Sequence, residues 1–142
     1  MKLLRRWRAI PPQERRALWP CAWRLVLVRS LLAGIGTVRT RALLARQRAG
    51  EAHITSPELW QHRSHALQRL SGRLPDTRCL ARSFTLWWWM RRSGLAPNMK
   101  VGIRQAHPKT EGHAWVECDG HVFGETQEGT ANYSLLHWQH MD

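Results

Sequence analysis

The residues best suited to covalent chemistry are a cysteine at the start of a helix and a histidine that can face a carboxylate across a hairpin. In Leu74-Pro75-Asp76-Thr77-Arg78-Cys79 the proline ends what precedes it, and Asp76 or Thr77 can cap a new helix running to Gly94. Cys79 then falls in the first helical turn. There, unpaired amide N–H groups and the positive end of the helix dipole favour thiolate over thiol. Arg78 and Arg82 add positive potential if they face the sulfur. The plainer identity of a free cysteine is a small buried hydrophobe, and that is the first reading of Cys21 and Cys118.

The base is sought in the alternating segments His113-Ala114-Trp115-Val116-Glu117 and His121-Val122-Phe123-Gly124-Glu125, which flank Asp119-Gly120. A two-residue turn would set Glu117 against Val122 and His113 against Thr126, mixing polar and apolar partners. A three-residue loop, Cys118-Asp119-Gly120 with a glycine bulge, instead pairs Glu117 with His121, Val116 with Val122, Trp115 with Phe123, Ala114 with Gly124 and His113 with Glu125. Chemical matching favours the second register. It places an imidazole opposite a carboxylate, the arrangement that orients a general base and stabilises its imidazolium. The alternative for His113 and Glu125 is an exposed cross-strand ion pair worth a few tenths of a kcal/mol. A zinc site from Cys79, His113, Cys118 and His121 has the right residue types but no CxxC, HxxxH or HExxH spacing. His62, His65, His137 and His140 read as surface or core side chains.

The elements that must position these groups change character along the chain. Leu18, Ala22, Leu25 and Leu32 recur at helical spacing over 16–33, with a kink expected at Pro20, and Gly34 and Gly36 separate this helix from a short basic one near 38–47. Ser56 is an N-cap with Pro57 behind it, and Leu59, Ala66, Leu67 and Leu70 supply the buried stripe of a helix over 57–71 that Gly72 closes. In the helix that begins with Cys79, Leu80, Phe84, Trp87 and Trp88 give one apolar side and Arg91 a basic end. Period-two alternation follows at 100–104, 113–117 and 121–125. The pattern is α+β, with helices on a small antiparallel sheet and no internal repeat.

Charge divides the chain in two: of the formal net +12, residues 1–50 carry +11, with Glu14 as their single acid, and residues 51–142 carry +1. A domain tracking a phosphate backbone would spread its cations over the binding surface, so a nucleic-acid role is disfavoured. The expected organisation is a basic helical region over 1–56 and a nearly neutral catalytic domain over 57–142. Arg24 and Arg29 interrupt the most apolar stretch, 17–33, so no membrane-spanning helix is expected, and a signal peptide fits poorly. Three cysteines without a CxxC pair fit a reducing compartment, and the expected location is the cytoplasm. The basic helices could pack over the body, meet an acidic partner, or lie on an anionic membrane surface. Nine tryptophans beside one tyrosine and two phenylalanines are anchors for a core or for a groove that holds an extended ligand.

The run Cys79-Leu80-Ala81-Arg82-Ser83-Phe84-Thr85-Leu86-Trp87-Trp88, then Val101-Gly102-Ile103-Arg104, then His113-Ala114-Trp115-Val116-Glu117 with Asp119-Gly120, resembles the transglutaminase-like leader peptidases of lasso-peptide biosynthesis. This is the family of the C-terminal domain of microcin-processing protein B. The resemblance covers about residues 57–136, and the basic lead-in is similar to the start of the stand-alone members. It implies a papain-like fold with Cys79 as nucleophile, His113 as general acid/base and an acid on the next strand as orienter. The family usually has Asp where this chain has Glu125, with Asp119 as the fallback. It also implies a ribosomally made precursor peptide as substrate, a separate leader-recognition protein, an ATP-dependent lasso cyclase acting afterwards, and no cofactor or metal. Acyl transfer to an amine and a non-enzymatic basic binding module are the alternatives.

Overall fold

The computed structural model describes residues 8–51, 56–72 and 79–136. Its elements are α1 (Pro12–Arg46), α2 (Pro57–Ser71), α3 (Cys79–Arg92), β1 (Asn98–Ala106), β2 (Lys109–Cys118), β3 (His121–Phe123), α4 (Gln127–Thr130) and β4 (Ser134–Leu135). The strands form one antiparallel sheet in the order β3-β2-β1-β4. The α+β class, with helices packed on a small sheet, is as the sequence indicates.

Of the breaks expected in α1, the one at Gly36 is observed. The helix passes through Pro20 and Gly34, and its non-helical residue is Gly36, at φ 78° and ψ 176°, which glycine adopts without strain. A continuous helix would hold positions 23 and 47 about 36 Å apart. Instead Trp23 meets Trp88 edge-on with ring centroids 6.2 Å apart, while Gln47 accepts a 2.9 Å hydrogen bond from the indole of that same Trp88. The chain therefore doubles back at Gly36 into a helical hairpin. In addition, α1 contains an 18-residue window of mean hydropathy 1.5, long and apolar enough by length and composition to cross a membrane. Arg24 and Arg29 fall within this stretch and leave it without an uncharged run of 18 residues.

Helix α2 is bounded as expected: the Ser56 hydroxyl accepts from the Leu59 N–H, Pro57 follows, and Gly72 closes the element. Buried Glu14 of α1 accepts a 2.7 Å hydrogen bond from Arg69 of α2 and lies 3.7 Å from His65. Central to the fold is α3, which is apolar on more sides than one. Every residue from Ser83 to Met90 is buried, because consecutive tryptophans leave a helix about 100° apart and each meets a different neighbour. Trp88 packs on Trp23 of α1, Trp89 on Trp60 of α2, and Trp87 on Phe84. The guanidinium of Arg24 lies between Trp23 and Trp89, and that of Arg63 between Trp60 and Trp89. Trp60, Trp87, Trp88 and Trp89 thus form a core rather than line a groove, and that core joins Ala17, Leu25 and Leu44 of α1 to Phe84, Val116 and Phe123. Trp60→Ala is expected to lower the unfolding free energy by about 3–5 kcal/mol, measured by urea titration.

Candidate active site

The hairpin register differs from the one expected. Cys118 pairs with His121, Glu117 with Val122 and Val116 with Phe123, which leaves the two-residue turn Asp119-Gly120. Both turn residues have positive φ, 49° and 79°, the type I′ geometry whose twist suits a two-residue hairpin. Backbone handedness outweighs side-chain matching here. β3 ends at Phe123, and Gly124 turns the chain with φ 89°. Glu125 therefore reaches His113 from a loop, not from across a ladder.

The two side chains still meet. His113 Nε2 lies 3.2 Å from Glu125 Oε2, within ion-pair distance but off the line of a well-directed hydrogen bond. The other carboxylate oxygen of Glu125, Oε1, accepts a 2.8 Å hydrogen bond from the Thr126 N–H. Thr126 in turn caps α4 through its hydroxyl, which accepts from the Gly129 N–H at 2.9 Å. A Cβ at position 129 would stand 2.5 Å from Glu125 Oε1 and 2.8 Å from the Thr126 hydroxyl. Gly129→Ala is thus expected to displace the carboxylate and lower kcat about a hundredfold while KM and the folded circular-dichroism spectrum stay close to native. Asp119, the fallback orienter, sits six residues from His113 along β2, about 20 Å away, where its carboxylate accepts from the Cys118 thiol.

Cys79 is brought to His113 by the docking of α3 on β2. One turn along α3 from Cys79, the Ser83 hydroxyl donates to the Ala114 carbonyl at 2.9 Å, fixing this face of the helix against the strand. The sulfur then lies within hydrogen-bonding reach of the His113 ring and of the Ala114 N–H. Burial, the largest influence on the thiol, opposes ionisation. It is outweighed by the hydrogen bonds from His113 and Ala114 and by the positive charges of His113 and Arg82, so the Cys79 pKa is lowered. The His113 pKa is raised, first by its hydrogen bond to Cys79, against burial, and further by the charges of Cys79 and Glu125 and a hydrogen bond to the Gly124 backbone. The opposite shifts favour the thiolate on Cys79 and the proton on His113, each through the other. The other two thiols behave otherwise: burial pushes Cys21 up to about 12, and burial with the Asp119 charge raises Cys118.

Sequence reasoning missed the aromatic setting of the imidazole. The His113 ring stacks on Tyr133 at 5.4 Å and on Trp115 at 6.1 Å. Gly102 faces His113 across the β1–β2 ladder, and a Cβ there would stand 2.7 Å from Tyr133 Cβ and 3.1 Å from the Trp115 ring. A glycine inside an alternating strand was the available signal for such a close approach. Tyr133, in the residues before β4, carried none. An open cleft of about 490 Å³ lies over His113 and Glu125 and is lined also by Gln61, Ser64, Arg82 and Val122. Asp76, Thr77 and Arg78, expected to cap the helix and add charge at the sulfur, lie outside the described residues.

No curated protein and no solved structure matches the chain. A family model described as the transglutaminase-like superfamily matches residues 22–137, most of the length. A reactive-cysteine geometry and this match agree, and the chain belongs to the transglutaminase-like superfamily, whose members generally are cysteine-type enzymes with a protease or acyltransferase fold.

Proposed function

We propose that the protein is a cysteine peptidase that removes the leader from a ribosomally synthesised lasso-peptide precursor, with Cys79 as nucleophile, His113 as general acid/base and Glu125 as its orienter. The observation that carries this reading is that the His113 ring interacts with both the Cys79 sulfur and the Glu125 carboxylate, and that His113 and Glu125 line an open cleft. The resemblance of the motifs from Cys79 to Gly120 to the lasso-peptide leader peptidases supports this substrate class.

In the proposed reaction the Cys79 thiolate adds to the scissile carbonyl, and backbone amides at the start of α3 stabilise the oxyanion. His113, as imidazolium, gives its proton to the leaving amine as the C–N bond breaks, leaving a thioester on Cys79. Neutral His113 then takes a proton from water, whose oxygen attacks the thioester, and the thiolate–imidazolium pair is restored. Glu125 holds the ring and stabilises its positive charge, and stacking on Tyr133 and Trp115 limits its rotation. The products are a free leader carboxylate and a free core amine. That amine is the group a separate ATP-dependent lasso cyclase would join to a core carboxyl. In this reading a separate leader-recognition protein presents the substrate.

The test is incubation of the full chain with the precursor, with and without the small leader-binding protein, followed by mass spectrometry. Expected is a single cut releasing leader and core with the mass of one added water. Incorporation of an added amine instead of water would identify an acyltransferase, and an uncut precursor in the presence of the leader-binding protein would refute the peptidase.

A further inference from the structure

Of the nine large apolar side chains exposed among the described residues, seven belong to α1. Its first arm turns Glu14, Ala17, Cys21, Leu25 and Val28 into the body. On the opposite side Trp19 is 78% exposed, Val26 53%, Trp23 43% and Leu27 40%. At about 100° per residue these four fall within an arc of about 100°. At the tip of the hairpin Ile35 and Val38 are exposed on either side of Gly36, and a Cβ at Gly34 or Gly36 would meet nothing within 4 Å. The tip is therefore uncovered by the other described residues.

The charges on this element have one sign. Residues 1–50 carry +11, and their single carboxylate, Glu14, is buried against Arg69, so no acid is left on the outer face. Arg16 falls within the apolar arc, Arg15 on its flank, and Arg39 is exposed beside the tip. Indoles and aliphatic side chains framed by arginines, with no carboxylate among them, match the boundary between acyl chains and anionic headgroups. The burial of Glu14, Cys21, Leu25 and Val28 against α2 and α3 means that a spanning orientation would tear open the core, whereas contact along the outer face leaves it intact.

We propose that the outer face of the α1 hairpin docks the protein on an anionic membrane surface. This surface is separate from the active site and does not rest on the peptidase reading.

The test is co-sedimentation of the full chain with vesicles of phosphatidylcholine alone and of phosphatidylcholine mixed with phosphatidylglycerol. Retention is expected on the mixed vesicles only, and high salt should release it. The double variants Trp19→Ser/Val26→Ser and Arg16→Gln/Arg39→Gln change exposed side chains and should each weaken retention about tenfold or more without altering the circular-dichroism spectrum. No retention on either vesicle, or equal retention on both, would overturn the proposal. So would retention that survives alkaline carbonate extraction, the mark of a spanning helix.

Discussion

Cys79→Ala is expected to lower precursor cleavage by about 10⁴-fold or more, because covalent catalysis has no substitute for its nucleophile. The variant should fold, since Cys79 is only partly buried and the helix it begins is held from Ser83 onward by the core. Cys21→Ala and Cys118→Ala are the controls. Cys21 is fully buried with its thiol pushed up to about 12, and Cys118 lies at the far end of the hairpin, beside Asp119. Their loss should cost stability through packing and leave cleavage essentially unchanged. Cleavage that persists in Cys79→Ala and vanishes in either control would move the nucleophile elsewhere.

His113→Ala is expected to lower cleavage by a similar factor of about 10⁴, by removing both the partner that ionises Cys79 and the proton donor for the leaving amine. The two losses should not add. A Cys79→Ala/His113→Ala double variant is expected to be no slower than the worse of the single ones, since the pair acts as one unit. The sign of the pH dependence follows from the opposite shifts. Activity should rise as pH passes upward through the lowered Cys79 pKa and fall as it passes through the raised His113 pKa, where the acid for the leaving group is lost.

Much of this site was legible in residue order. Pro75 and the apolar run after Cys79 located a helix start, and the alternation around His113 located the strand, because those signals are local. The pairing of His113 with Glu125 was named for the wrong reason. Side-chain matching across a ladder contributes only tenths of a kcal/mol to about 1 kcal/mol per pair, and the Asp119-Gly120 turn, with both residues at positive φ, set a different register. The contact survives because Gly124 ends the strand and the Thr126 N–H holds the carboxylate from the loop side. Tyr133 and β4 were not legible, since a two-residue strand has no period and the stack on His113 joins residues twenty positions apart. Likewise, Leu80, Phe84, Trp87 and Trp88 read as the one apolar side of a helix because amphipathicity assumes a single buried side. α3 instead has neighbours on several, α1, α2 and the sheet, and only tertiary structure reveals that.

The most direct measurement on the Cys79–His113 pair is the rate of Cys79 alkylation by iodoacetamide as a function of pH, located by peptide mass mapping, in the native protein and in His113→Ala. The native rate should follow an inflection below the ordinary thiol value, with Cys79 modified ahead of Cys21 and Cys118, and the inflection should move upward when the imidazole is removed. An inflection at the ordinary thiol value, or one indifferent to His113, would contradict a thiolate held by that ring.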